Sequence, residues 1–295
     1  MKLHGAEIAD TFAEAFPMWG SRVLITAATP AWALEAGRSM TGFATSVIGC
    51  KCEASIEREL APDETPDGRP GVSALLFAMD REGVGKRLVE RVGQCVLTSP
   101  TAACFNGVDA EDTVDVGGQL RFFGDGYQAS KVLDGRRYWR VPVMEGEFLV
   151  HERFGVVEGV AGGNIIMLGR DAESALRAAE AAASAMRSVE GAIMPFPGGI
   201  ARSGSKVGSR YGALPASTNH VLCPTLRGQV EHSEVPDDVE AVFEIVIDGL
   251  ALEPVREAMR RGLVAAAQAG ASHVTAGNYG GNLGPHHIHL RELMP

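Results

Sequence analysis

Glu244 interrupts the run Ala241, Val242, Phe243, Ile245, Val246 and Ile247, and it is the only ionisable side chain in the most apolar strand-like stretch of the chain. A carboxyl group with buried neighbours must shift its pKa, find a partner or take part in chemistry. Period-two alternation puts Val242, Glu244 and Val246 on one face and Phe243, Ile245 and Ile247 on the other, and neither face has the polar residues of a solvated surface. Two readings follow from spacing alone: a cleft or edge glutamate that reaches water, or a carboxyl group held out of water for chemistry.

Other constellations compete with it. His286, His287 and His289 invite a metal reading, with His287 and His289 on one strand face. No third ligand set has metal spacing, so a histidine-rich strand end is expected and no metal ligand is assigned. A metal-dependent amide hydrolase built on these histidines is the unrelated competitor. Cys50 and Cys52 are one residue short of a C-x-x-C pair and have no second pair, so both are read as structural thiols. No G-x-S-x-G elbow is present, which argues against a serine nucleophile.

The glycine clusters carry more. Phe196, Pro197, Gly198 and Gly199 form a rigid turn ahead of Ser203, Ser205, Lys206, Ser209 and Arg210, a hydroxyl-rich and basic stretch that could hold an anionic or polar ligand. Gly277-Asn278-Tyr279-Gly280-Gly281-Asn282-Leu283-Gly284 and Gly159 to Asn164 have a similar character. Asparagine offers both a donor and an acceptor, and glycine lets a planar ligand edge come close.

These residues must be positioned by regular elements, and one grammar recurs four times: an apolar strand, a helix with an identifiable start, then a second strand. Val23 to Ala27 leads through an N-cap at Thr29 and Pro30 to a helix and then Thr45 to Ile48. Val72 to Met79 leads to a helix with Val84, Leu88, Val92 and Cys95 on one face. Asn164 to Leu168 leads to an Asp171 N-cap and a stripe of Ala172, Leu176, Ala179, Ala183 and Met186. The strand of Glu244 leads to Pro254, then Val255, Met259, Leu263 and Ala266, then Ser272 to Thr275. Two units in each half predict an α+β fold of two βαββαβ, ferredoxin-like lobes, residues 1–150 and 151–295. A hairpin around Asp134-Gly135 should join Phe122 to Tyr127 with Tyr138 to Val141. Residues 65–71 read as a turn and 223–238 as a surface loop.

With 295 residues the chain has room for two such cores, and its formal charge of -10 argues against a nucleic-acid groove. The five cysteines are scattered and odd in number, which points to a reducing cytoplasm. No segment approaches the roughly 18 apolar residues of a membrane span, so a soluble protein is expected.

Taken together, the segments Asp10 to Phe16, Thr65 to Gly71, Gly93 to Val96, Phe122 to Gln128, Gly159 to Asn164, Pro195 to Ile200, Ser205 to Ser209, Leu214 to Asn219, Glu244 to Ile247 and Ala276 to Asn278 resemble the formylmethanofuran:tetrahydromethanopterin formyltransferases. This is a family of one-carbon metabolism in methanogenic archaea and methylotrophic bacteria. The resemblance runs through nearly the whole chain in order. It implies ferredoxin-like lobes, a homotetramer, no metal and no tightly bound cofactor, with tetrahydromethanopterin and a methanofuran-type carrier as cosubstrates.

The family's catalytic glutamate lies in the strand motif that Glu244 matches. The resemblance therefore implies formyl transfer with Glu244 either donating to an oxyanion or taking the proton of the attacking amine. Phe196, Gly198, Gly199, Ser205, Lys206, Arg210 and Asn278 are the expected substrate contacts, with Lys206 and Arg210 meeting the carboxylates of a glutamyl tail. The mild acidity fits a methylotroph-type protein, a subunit of a formyltransferase/hydrolase complex. The competing class is a pterin-binding or assembly subunit of that complex with no turnover of its own.

Overall fold

Thr29 starts the first long helix, Pro30–Thr41, by accepting the Trp32 N–H, and Pro30 fills the first helical position where no N–H is needed. Asp171 caps Ala172–Met186 in the same way, accepting the Ser174 N–H at 2.7 Å while the Ser174 hydroxyl reaches back to the Asp171 N–H. The computed structural model describes residues 1–295, a mixed α and β chain with six α-helices. It divides into two compact units, Met18–Gly159 and the combination of Met1–Pro17 with Val160–Pro295.

In Met18–Gly159 the strands run in the order Glu53–Leu60, Gly71–Ala78, the part of Phe12–Thr26 from Met18 onward, and Ala103–Asn106, with every neighbour antiparallel. The helices Pro30–Thr41 and Arg81–Arg91 bury Ala36, Met40, Val84 and Leu88 against Val23, Ile25, Val72 and Leu76. Fully burying side chains of this size contributes about 1.5–3 kcal/mol each. A meander of Ala129–Leu133, Arg136–Val143 and Gly146–His151 extends the sheet beyond Ala103–Asn106.

In the other unit the order is Ala192–Ile193, Ala241–Gly249, Val157–Gly169 and His273–Thr275, again antiparallel throughout. Ala172–Met186 and Leu252–Gln268 cover one face. Their Ala179, Ala183, Met186, Met259 and Leu263 join Ile165, Met167, Ile245 and Ile247 in one core. Leu176, expected in that stripe, is exposed, and Ala175, Ala178 and Ala182 take the inward positions instead. The i, i+3, i+4 rows of the helix select the smaller residues, which allow close helix-to-sheet approach.

Several expectations are corrected. Thr45 to Ile48 is not a strand, because Ser46 caps a one-turn helix, Val47–Cys50, and the pairing strand is Glu53–Leu60. The Asp134-Gly135 turn does make a hairpin, but its first strand is Ala129–Leu133, while Phe122 to Tyr127 is a 3-10 turn and a left-handed bend at Asp125. Residues 223–238 are not wholly superficial, since Val235 is buried and packs with Val239 on Ile166 and Leu168.

The division expected at residues 150 and 151 also differs at the chain start, where Met1–Pro17 joins the C-terminal unit. The reason is backbone pairing: Ala6–Ile8 lies parallel to His273–Thr275, and Phe12 to Ala15 pair with His286–His289. Strand groups left at an edge need such partners.

Candidate active site

The β-branched and aromatic run around Glu244 makes Ala241–Gly249 a strand, and its face alternation is the one expected from the sequence. Ile245 and Ile247 enter the helix-covered core. Val242, on the face of Glu244, packs instead on the cluster of Ile166, Leu168, Val235 and Val239. Segments following Ile200 therefore cover the face that carries the carboxyl group. Glu244 pairs with Ile166 on one side, and on the other it exchanges two backbone hydrogen bonds with Ala201, at 2.8 and 3.0 Å.

That bridge explains the glycine-proline turn. Gly198 and Gly199 take left-handed φ values of 65° and 85°, the Gly199 N–H closes onto the Phe196 carbonyl at 2.8 Å, and Arg187 donates to the Gly198 carbonyl at 2.6 Å. The turn thus delivers Ala201, and four residues later Ser205, to the Glu244 strand. The Ser205 hydroxyl donates to Glu244 Oε1 at 2.8 Å. Glu244 is only 5% exposed, and its Oε2 is buried with no hydrogen-bond partner. Burial pushes its pKa up, with the Ser205 hydrogen bond pulling partly back. The shift is toward the neutral carboxylic acid, the form that carries a proton.

The structure treats the other expected residues differently. Lys206 Nζ lies 3.3 Å from His220 Nδ1, while Arg210 is exposed. Phe196 is half-buried and Gly198 is exposed at the turn. The Asn278 side chain is committed to the fold: its amide donates to Thr11 Oγ1 and to the Phe12 carbonyl, and its Oδ1 accepts the Gly280 N–H. Asn164 likewise ties Gly277 down from both its oxygen and its nitrogen. His286, His287 and His289 sit in a strand, with the His287 and His289 rings tilted against Phe12 at centroid distances of 4.7 and 5.3 Å, and no group of three potential metal ligands is assembled.

Glu14 and Asp248 are buried acids that sequence reasoning passed over. Glu14 accepts backbone N–H groups from Tyr279 at 2.7 Å, Gly281 at 3.1 Å, Gly284 at 2.9 Å, and Leu283. Burial alone would raise its pKa, but these four donors outweigh it and hold the carboxyl group below the usual range. The glycine-rich segment from 277 is therefore wrapped around a carboxylate of the chain itself. The signal was available, because Ala13-Glu14-Ala15 places a lone acid among small residues in an alternating strand, the pattern that drew attention to Glu244.

Residues 1–143 match the family described as formylmethanofuran-tetrahydromethanopterin formyltransferase, and residues 146–293 match the description "FTR, proximal lobe". The chain belongs to this formyltransferase family. It is 56% identical to the formylmethanofuran--tetrahydromethanopterin formyltransferase of Methylococcus capsulatus, with all of both chains covered. It is 52% identical to a subunit of the formyltransferase/hydrolase complex of Methylorubrum extorquens, covering 99% of this chain and 97% of that one.

Two solved family structures match the fold. The formyltransferase from Methanosarcina barkeri superposes with a TM-score of 0.94 at 50% identity, over 99% of this chain and 100% of the other. A chain of the formyltransferase/hydrolase complex from Methylorubrum extorquens, solved with methylofuran, gives 0.96 at 51% identity, over 99% and 98%. Membership of the family makes this chain a formyltransferase.

Proposed function

We propose that the chain transfers a formyl group between the amine of a formylated methanofuran-type carrier and N5 of tetrahydromethanopterin, with Glu244 as the catalytic acid. The N5 lone pair attacks the formyl carbon, and the carbonyl π electrons move onto oxygen to give a tetrahedral oxyanion. That oxyanion collapses by breaking the bond to the carrier nitrogen, and the proton lost by N5 ends on the departing amine. No electrons are gained or lost overall.

The observation that carries the role of Glu244 is the asymmetry of its carboxyl group, with Oε1 held by Ser205 and Oε2 buried without a partner. A buried polar atom without a partner costs about 1–3 kcal/mol, a cost relieved when a substrate oxygen accepts from it. Burial favours the protonated form, the one able to donate to a developing oxyanion. Lys206 and Arg210 are proposed to meet carboxylates on the carrier's tail, and the Phe196 to Gly199 turn to border the carrier.

Each unit is proposed to be a ferredoxin-like lobe. The support is the strand order, with the first strand between the third and fourth and the second outside the third, all antiparallel. We propose also that the chain works as a homotetramer that joins hydrolase subunits, supported by its 52% identity to a subunit of such a complex. Gel filtration of the native protein giving a monomer, with no co-purifying chains, would argue against the assembly.

The test of function is direct. The purified chain is incubated with formylated methylofuran and tetrahydromethanopterin, and N5-formyl product is followed. Product formation that persists in excess chelator supports the reading. Pterin binding without transfer, alone and with the complex reconstituted, would make the chain a non-catalytic subunit.

A further inference from the structure

We propose that Tyr279 is a positioning residue for Glu244, acting through Ser205, and that Glu14 fixes Tyr279 in the place from which it acts. The proposal rests on the reading of Glu244 as catalytic.

Ser205 needs external support. It precedes a two-residue strand, Lys206–Val207, whose only strand partner is the equally short Ala216–Ser217. A pairing of that length does not hold itself in water. The Tyr279 hydroxyl accepts the Val207 N–H at 3.0 Å and donates to the Ser205 carbonyl at 3.3 Å. One side chain therefore grips the backbone on both sides of Lys206, and with it the hydroxyl that reaches Glu244 Oε1.

The grip is anchored in turn. The Tyr279 N–H donates to Glu14 Oε2 at 2.7 Å, and the same carboxyl group holds the N–H groups of Gly281, Leu283 and Gly284. Hydrogen bonds to an ionised acceptor are about twice as strong as neutral ones. Glu14 is 1% exposed, so little water competes for these bonds. The path from Glu14 to Glu244 runs through one backbone N–H, one phenol and one serine hydroxyl, without a break.

Tyr279→Phe removes the grip and keeps the ring. Ser205 is the one group that draws the pKa of Glu244 down, so releasing it moves that ionisation to higher pH. With formylated methylofuran and tetrahydromethanopterin as substrates, Tyr279→Phe should lower kcat about five- to tenfold with KM nearly kept. The pH profile of kcat should shift upward, in the same direction as in Ser205→Ala. Because both act on one hydrogen bond, Ser205→Ala/Tyr279→Phe should be no slower than Ser205→Ala alone.

Multiplying effects, or an unmoved pH profile in Tyr279→Phe, would overturn the proposal. Glu244→Gln with wild-type turnover would instead remove the reading beneath it. If Tyr279→Phe does not fold, hydrogen exchange in the wild-type protein decides: a Val207 amide exchanging as slowly as those of Ala241–Gly249 supports the grip, and rapid exchange refutes it.

Discussion

Ser205 Oγ donates to Glu244 Oε1 at 2.8 Å, while Oε2 of the same carboxyl group is buried with no partner. The two oxygens of one group thus have different fates. One is held in place by the chain, and the other has no partner within it. A carboxyl group placed only for stability would have both oxygens satisfied, as Glu14 does a few strands away.

Replacing Glu244 with Gln keeps the shape and the Ser205 contact but removes the acidic O–H. Turnover should fall by a factor on the order of 10²–10³ with KM little changed. Denaturant unfolding should show equal or greater stability, because a buried acid without a full set of partners is a burden on the fold. Steady-state kinetics beside an unfolding curve checks both, and wild-type turnover would sink the assignment.

Glu14→Gln leaves one acceptor oxygen where two ionised oxygens receive four N–H groups. Stability should drop by about 1–3 kcal/mol, from part-buried donors left unpaired. The lowered pKa of Glu14 makes its contribution present above the unfolded carboxyl pKa and lost as pH falls through the lower folded value. Acid unfolding of the wild type should be steeper there than that of the variant.

His151 gives the unit Met18–Gly159 its own pH dependence. Its ring is 3% exposed against Phe105 and Tyr138, and Nδ1 accepts the Asn106 N–H at 2.8 Å. Burial, with the nearby positive charge of Arg136, lowers its pKa from 6.5 to about 4. The folded state favours the neutral ring, so this contribution is full above 6.5 and lost as pH falls toward 4, by up to about 3 kcal/mol. Thermal unfolding between pH 7 and 4 should show a weaker pH slope in His151→Phe.

Gly284→Ala and Gly280→Ala should separate two kinds of glycine. A Cβ at Gly284 would collide with the Ala15 carbonyl oxygen, whereas one at Gly280 would meet only the Asn282 side-chain nitrogen at 3.4 Å, and Gly280 is needed for its positive φ of 68°. The first should cost about 1–3 kcal/mol as overpacking and the second about 1 kcal/mol. Equal losses in Tm would show that the segment relaxes around Ala15.

Much of this was legible in the chain. The helix starts at Thr29 and Asp171 are local capping chemistry, and the alternation around Glu244 groups Ile245 and Ile247 on the face that the structure buries in the core. The misreadings share a cause. Thr45 to Ile48 and Phe122 to Tyr127 have strand-forming residues, yet local capping at Ser46 and a left-handed Asp125 bend them into turns. Propensity is weak where short polar residues offer the backbone a nearer partner.

By itself the sequence determined most of the repeated strand and helix order, the two faces of the strand around Glu244 and the family, because periodicity, caps and residue identities are properties of neighbours along the chain. Only the tertiary structure decided that Ser205 meets Glu244 across 39 positions, that Tyr279 grips Ser205 from 74 positions away, and that Glu14 gathers a loop 265 to 270 residues distant. Those pairings depend on strand registers and on which buried donors and acceptors find one another, and no local pattern encodes them.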